Sequence, residues 1–401
     1  MGAIMNYTEQ STAAGRHIMP DLTRAFALIG IALVNVAFIA YPMMMGFFDG
    51  GLQSGVDKTV FFVTNGFFAL KSYTLFSFMF GVGFAYQMRS ADKAGKAFAP
   101  RYWRRIVGLL VLGLLHVAFL FQGDILIMYA ILGSVLFLFR NASFKTLMGW
   151  GIGIYGVQVV IVALMVAFVA ASNAFAPEDM ATAVEEMRVA NALAREVYGA
   201  GTYAQSIAVR FKEWTGVITF GMLMQGFGAF SFFLFGMAAV KSGVLSNPSA
   251  PVWAKFRKLY LPVGITGSLV GAWILFKGDS IMDPAKMVGM FLLVLSAPFS
   301  TAGYLGLIAK WAEGPITALK TFMARGGTAT LTAYLMQGLL MSLIFNAYGL
   351  GLYTKFGAGI SIGIALLVAL FTIAFASLWR KKFTHGPMEF LLRSWTYLGK
   401  R

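Results

Sequence analysis

Apolar stretches of about twenty residues recur from one end of this 401-residue chain to the other, and no other feature narrows its fold so far. Only a helix or a closed barrel satisfies its own backbone polar groups in hydrocarbon, and about 20 helical residues span the core of a bilayer. Ten runs are legible, at 21–42, 59–88, 106–122, 125–139, 146–172, 215–240, 257–276, 286–309, 327–349 and 357–379. With 59% hydrophobic and 12% charged residues, the chain is expected to be an all-α, polytopic membrane protein of about ten transmembrane helices. No soluble linker, low-complexity tract or repeat divides it, so residues 1–401 read as one membrane domain.

The net charge of +16 is explained first by retention of basic loops in the cytoplasm, which leaves no need for a nucleic-acid partner. Placing the amino terminus inside puts Arg89, Lys93, Lys96, Arg101, Arg104 and Arg105 in one inside loop. Arg140 and Lys145, then Lys241, Lys255, Arg257 and Lys258, then Lys310, Lys320 and Arg325 follow in later ones. The tail begins Arg380-Lys381-Lys382, so both termini are expected on the cytoplasmic side. Residues 173–213, with six acidic and four basic side chains, read as an external amphipathic segment, and 383–401 as a cytoplasmic interfacial tail. In that tail Pro387 opens a short amphipathic helix with Glu389 and Arg393 one turn apart and Trp395 and Tyr397 suited to the headgroup layer. Residues 1–20 are polar and lack the apolar core of a cleaved signal, so the first span is expected to direct insertion.

The chain contains no cysteine, which excludes disulfides, thiolate metal sites and cysteine nucleophiles. His17, His116 and His385 are too far apart in sequence to form a metal motif, and no metal is expected. Asn141-Ala142-Ser143 matches a glycosylation sequon on the wrong side of the membrane. The GxxxG spacings Gly149–Gly153 and Gly359–Gly363 are expected to mark close helix packing.

Ionisable groups inside hydrocarbon are costly, so each marks a site or a structural pair. In "DLTRAFALIGIALVN", Asp21 and Arg24 stand one turn apart, and Asn35 returns to nearly the same angle about 16 Å further on. The Asp21–Arg24 pair serves equally as an interfacial anchor. In "KSYTLFSFMFGVGF", Lys71 would neutralise an anionic group or reach the interface on its flexible stem, while Gly81 and Gly83 permit a tight crossing. In "LGLLHVAFLFQGDILIMYAILG", His116 falls about 15 Å into the membrane and Asp124 about 12 Å further along a straight helix. A direct His116–Asp124 dyad therefore needs the chain to fold back at Gly123, or a partner from another helix. Otherwise His116 is a neutral ring bonded to backbone and Asp124 a cap for the next helix.

These motifs, with "LTAYLMQGLL" and "GPMEFLLRSWTY", resemble in order the YeiB-like family of bacterial inner-membrane proteins over nearly the whole chain. Ala25, Thr328 and Ala333 depart from the family's usual Gly, Arg and Asn. The family looks like a distant branch of a membrane acyltransferase superfamily, which implies a bacterial inner-membrane location, acyl-CoA entering from the cytoplasm and an acceptor from the other side. Where many sugar O-acyltransferases carry a catalytic histidine, this sequence has Asn35.

Two functional classes follow. In acyl transfer, His116 and Asp124 would be catalytic, Arg24, Asn35, Lys71 and Gln225 would hold substrate, and Arg101, Arg104 and Arg105 would grip the phosphates of acyl-CoA. The acceptor would be a small molecule or a glycan, and membrane lipids would be the standing partners. A homo-oligomer is compatible with this pattern. In the second class the same fold is a solute or lipid carrier, with Gln225 and Pro298 marking a path through broken spans, although no inverted repeat is visible.

Overall fold

A computed structural model of the protein describes residues 17–278 and 282–398, so the reading of residues 1–16 lies outside the described part. All its regular elements are helical: α1 (Ile18–Ile39), α2 (Gly55–Phe67), α3 (Lys71–Lys93), α4 (Phe98–Phe119), α5 (Leu126–Leu136), α6 (Phe144–Phe175), α7 (Pro177–Ala200) and α8 (Tyr203–Gly221). These are followed by α9 (Phe227–Lys241), α10 (Pro251–Lys255), α11 (Leu261–Ile274), α12 (Pro284–Glu313), α13 (Ala318–Gly326), α14 (Thr330–Phe345), α15 (Ala358–Lys382) and α16 (Pro387–Thr396).

Each expected span coincides with helix, but the count of ten is not carried by helix length. Among the described residues, seven stretches are long and apolar enough to cross a bilayer, and an eighth if α13 and α14, bent by 77°, form one span. The two short cases have physical causes. α5 begins only after a hairpin has turned back into the bundle, and the turn leading into α11 carries Arg257 and Lys258.

The chain's ends and loops sort to two faces. At one face Arg89 Nη2 donates to Val240 O (2.7 Å), Arg380 Nε to Thr328 Oγ1 (2.7 Å) and Trp395 Nε1 to Arg104 O (2.8 Å), which gathers the basic loops together. At the other, Thr354 N donates to Ala40 O, Ala358 N to Gly51 O and Ala347 N to Tyr198 O. There Arg195 also pairs with Asp49 (2.8 Å). α7 and the 346–357 loop therefore cap the far end.

Helix starts follow from local chemistry. Ser54 and Asp57 form a capping box at α2, Thr202 and Gln205 another at α8, and Ser143 caps α6, which gives the sequon serine a structural task. Between α8 and α9 the helix widens to a π turn at Met222–Gly226. The buried Gln158 of α6 tends the loosened backbone, donating to Leu223 O (2.8 Å) and accepting from Gly228 N (3.1 Å).

Close packing is set by glycines, though not by those the GxxxG spacing indicates. Gly149 and Gly153 have nothing near a would-be Cβ, because α6 turns much of its length outward; on α15 Gly363 is equally open, and Gly359 donates its amide to Asp57 Oδ1 (2.8 Å). The tight crossing joins α3 to α9. A Cβ on Gly81 would collide with Phe233 O and one on Gly236 with Phe78 O, while Gly83 faces open space. Reciprocal contact of two backbones leaves no room for relaxation. Gly81→Ala and Gly236→Ala should therefore each destabilise by at least the about 1–3 kcal/mol of core overpacking. Gly153→Ala should be neutral or slightly stabilising. Thermal unfolding of detergent-purified protein measures both, and an unchanged midpoint in Gly81→Ala would refute this crossing.

Candidate functional site

The 116–124 hairpin is built by its own backbone. α4 stops at Phe119, where His116 O accepts from both Leu120 N (2.8 Å) and Phe121 N (2.9 Å), and the chain reverses through Gln122-Gly123. Gly123 is needed because a Cβ there would strike the Phe121 ring. Gly113, one turn before His116, lets α5 come down against α4, since a Cβ there would press on Asp124 Oδ1 and Ile127. The fold-back required for a dyad is thus present, and His116 Nδ1 lies 2.7 Å from Asp124 Oδ2 with both side chains buried.

Asp124 does the capping work as well. Its Oδ1 accepts from Ile127 N (2.9 Å), satisfying an orphan amide at the start of α5. Tyr334 on α14 donates to Asp124 Oδ2 (3.4 Å) and accepts from Ile125 N (3.2 Å). With the carboxylate ionised, Nδ1 of His116 carries the proton and Nε2 presents a lone pair. Nε2 is buried and has no hydrogen-bond partner among the described residues; it rests against Gly338, where a Cβ would displace the ring. Tyr334, Gln337 and Gly338 share one face of α14 by their i, i+3, i+4 spacing. Sequence reasoning did not single out Tyr334 or Gly338, although that spacing was legible in "LTAYLMQGLL".

A cavity of about 290 Å³ opens from the basic end toward this group. Arg24, Arg105, Arg393, His385 and Glu389 lie around it, and Tyr129, Leu126 and Tyr334 are among its lining. His116 does not line it; the ring communicates with the cavity through Tyr334 and Asp124. Part of the lining comes from α16, which is docked and not merely interfacial. Glu389 accepts from Leu331 N (2.6 Å), Thr332 N (3.1 Å) and Thr332 Oγ1 (2.5 Å), capping α14 at the 77° bend. A shallow concavity of about 500 Å³ on α7, lined only by that helix's own face, brings no convergent groups together.

The other candidates separate. Arg24 donates to the buried Asp21 (2.8 Å) and also faces the cavity. Of the three arginines assigned to phosphates, Arg105 lines the cavity, Arg104 donates to Leu398 O (2.5 Å) and Arg101 stacks over Tyr397 at 5.1 Å. Asn35 and Gln225 are half-buried and do not line it. Lys71 is fully buried at the break between α2 and α3, after a left-handed Leu70, with Nζ donating to Asn65 O (3.1 Å).

At the far end a second polar group sits on the same hairpin. Gln122 Nε2 and Tyr198 OH both donate to Glu213 Oε2 (2.9 and 3.0 Å), and Arg210 Nη1 donates to Leu120 O (3.2 Å). Burial pushes the Tyr198 and Tyr353 hydroxyls above their ordinary range, with the Glu213 charge adding to the effect, so both stay neutral donors.

The family described as "Protein of unknown function (DUF418)" matches residues 239–399. "Uncharacterized protein YxaH" of Bacillus subtilis (strain 168) is 32% identical over 397 residues, covering 94% of this chain and 93% of that protein. "Uncharacterized protein YeiB" of Escherichia coli (strain K12) is 25% identical over 393 residues, covering 95% and 96%. No solved structure matches.

Because Asp124 answers to an imidazole, an amide and a phenol at once, Asp124→Ala should cost about 3–5 kcal/mol, as for other broken buried pairs. Asp124→Asn, whose amide oxygen still accepts from Ile127 N, should cost less. A His116→Ala/Asp124→Ala double-mutant cycle by chemical denaturation should show coupling of about 0.5–3 kcal/mol. Additivity would mean the two side chains do not act as a pair.

Proposed function

The chain belongs to the YeiB-like family of bacterial proteins of unknown function, and from the site just described we propose that it is an inner-membrane transferase moving an acyl group from cytoplasmic acyl-CoA to a hydroxyl or amine acceptor. The observation that carries this reading is the buried His116–Asp124 pair joined by Tyr334 to a cavity with arginines at its mouth. The basic loops around that mouth support a cytoplasmic orientation for it. At about 290 Å³ the cavity is at the small end of ligand sites, about 300–1,000 Å³, so it suits a slender thioester arm with the nucleotide left outside.

Arg24, Arg105 and Arg393 supply charge-assisted donors for donor phosphates; Arg101 and Arg104 act on the tail instead. The acceptor's oxygen or nitrogen attacks the thioester carbonyl carbon and the carbon–sulfur bond breaks. The acceptor's proton passes to Tyr334 as the Tyr334 proton passes to the Asp124–His116 pair. It returns by the same path to the departing thiolate, so the pair ends as it began. Hydrogen bonds of this kind are commonly long before substrate binds, as the 3.4 Å Tyr334–Asp124 contact is.

Thioester turnover by purified protein in nanodiscs tests the reading. His116→Ala and Tyr334→Phe should each lower kcat by about 10²- to 10⁴-fold, the usual range for general acid–base catalysis. Arg105→Gln should chiefly raise KM. Absence of acyl-CoA binding and hydrolysis, together with an unchanged His116→Ala protein, would overturn it.

One observation favours a carrier instead. Lys71 is an amine held at a helix break with one carbonyl acceptor among the described residues, as at solute paths through broken spans. Uptake into proteoliposomes that needs no acyl donor and is lost in Lys71→Ala would favour that class.

A further inference from the structure

Arg210 on α8 is among the largest fully buried side chains, with 1% of its surface exposed. Burying a guanidinium is costly unless an anion accompanies it. Yet Arg210 forms no ion pair among the described residues: Glu213, its nearest acidic neighbour in sequence, takes hydrogen bonds from Gln122 and Tyr198 and meets Arg210 through the field of its charge, without a hydrogen bond. The group is not adrift. Nη1 is fixed by Leu120 O (3.2 Å) and the Tyr348 hydroxyl (3.3 Å), and the rings of Tyr203 and Tyr348 lie 5.6 and 5.8 Å from its carbon.

What remains is the edge formed by Nε and Nη2, and both nitrogens are buried without an acceptor among the described residues. That edge is the two-pronged donor which matches the two oxygens of a carboxylate or phosphate. Two more buried groups at this end, Asn191 Nδ2 and Tyr353 OH, likewise have no partner among the described residues. Tyr353 packs on Tyr198 at 5.4 Å between ring centres, and Asn191 stands one turn before Ala194, which joins the same apolar cluster.

We propose that the far end of the bundle carries an oxyanion-binding site in which the Nε/Nη2 edge of Arg210 receives the carboxylate or phosphate of a small ligand. The guanidinium is oriented from behind by backbone, hydroxyl and aromatic faces, so its free edge is held in position before any ligand arrives. The site goes beyond the reaction proposed above, and it involves neither Arg24 nor Arg105 of the opposite end.

Titration calorimetry of the full-length protein in detergent tests it with three probes: D-glucuronate, inorganic phosphate and uncharged glucose. Saturable binding of glucuronate alone identifies a carboxylate ligand, and of phosphate alone a phosphorylated one, with dissociation constants on the order of millimolar for such minimal probes. Arg210→Gln should weaken either by about 10- to 100-fold, the contribution of hydrogen bonds to a charged group. Lys382→Gln, exposed at the end of α15, should leave the titration unchanged. Should Arg210→Gln fail to fold, Tyr348→Phe keeps the ring and removes one orienting hydroxyl, with an expected loss of about fivefold. Absence of saturation by both anions, equal binding of glucose, or unchanged binding in whichever of these two variants folds would overturn the site. No thioester enters the experiment, so its failure is distinct from failure of the acyl-transfer reading.

Discussion

A polar atom in hydrocarbon must find its partner within the protein, and in this chain the heaviest demand of that kind is met by one carboxylate. Asp124 stands where two apolar helices reverse direction. It accepts from the amide of Ile127, the imidazole of His116 and the hydroxyl of Tyr334, three elements brought together by one side chain. Leu120 and Phe121 amides share the His116 carbonyl, so the reversal leaves few loose ends on the α4 side. The chemistry that makes the hairpin tolerable is the chemistry that makes it a candidate site: an imidazole whose Nδ1 is oriented by a carboxylate has its other nitrogen left as a base.

The same rule explains the remaining irregularities. A π turn between α8 and α9 frees backbone groups, and Gln158 collects them. The 77° bend between α13 and α14 exposes amides at the start of α14, and Glu389 arrives from α16, 57 residues away from Thr332, to accept them. That contact is also what brings Arg393 and His385 of the tail over the cavity. A segment whose composition suits the headgroup layer is thereby recruited into the lining of a site. Lys71 is the place where the rule is met most thinly, one carbonyl acceptor for an amine among the described residues.

How much of this was legible follows from which contacts are local. The all-helical character, the approximate helix positions and the Asp21–Arg24 pair are properties of neighbours in sequence, and the structure contains them. The His116–Asp124 dyad was legible as a condition, since eight residues of straight helix hold the groups about 12 Å apart and only a reversal at Gly123 joins them. Contacts across the bundle were not legible. Glu389 on Thr332, Gly338 beneath His116 and the collision of Gly81 with Phe233 depend on which helices meet, which hydrophobic periodicity does not state when nearly every face is apolar. GxxxG spacing misled for that reason: on α6 it marks small residues on a helix much of whose surface faces outward, whereas the α3–α9 crossing uses one glycine from each side. The arginine cluster divided for a geometric cause. Arg101 and Arg105 share a face of α4 at i, i+4, but Arg105 stands one turn further along it and lines the cavity, while Arg101 meets Tyr397 and Arg104 the carbonyl of Leu398.

The hairpin also links the two ends of the molecule. Leu120 O holds Arg210 and Gln122 holds Glu213 on the far side, while two residues later Asp124 holds Tyr334, which faces the cavity at the basic end. Three residues therefore separate an acceptor of the Arg210 guanidinium from the carboxylate of the His116–Asp124 pair, with no regular helix between them. Any ligand that draws Arg210 toward itself pulls on a carbonyl in this short turn. The turn is held as well by Gln122 on Glu213 and by backbone bonds to the helices it joins, so a shift of Leu120 is shared among several contacts. The stretch from Leu120 to Asp124 is thus one short reversal in contact with polar groups toward both ends of the bundle.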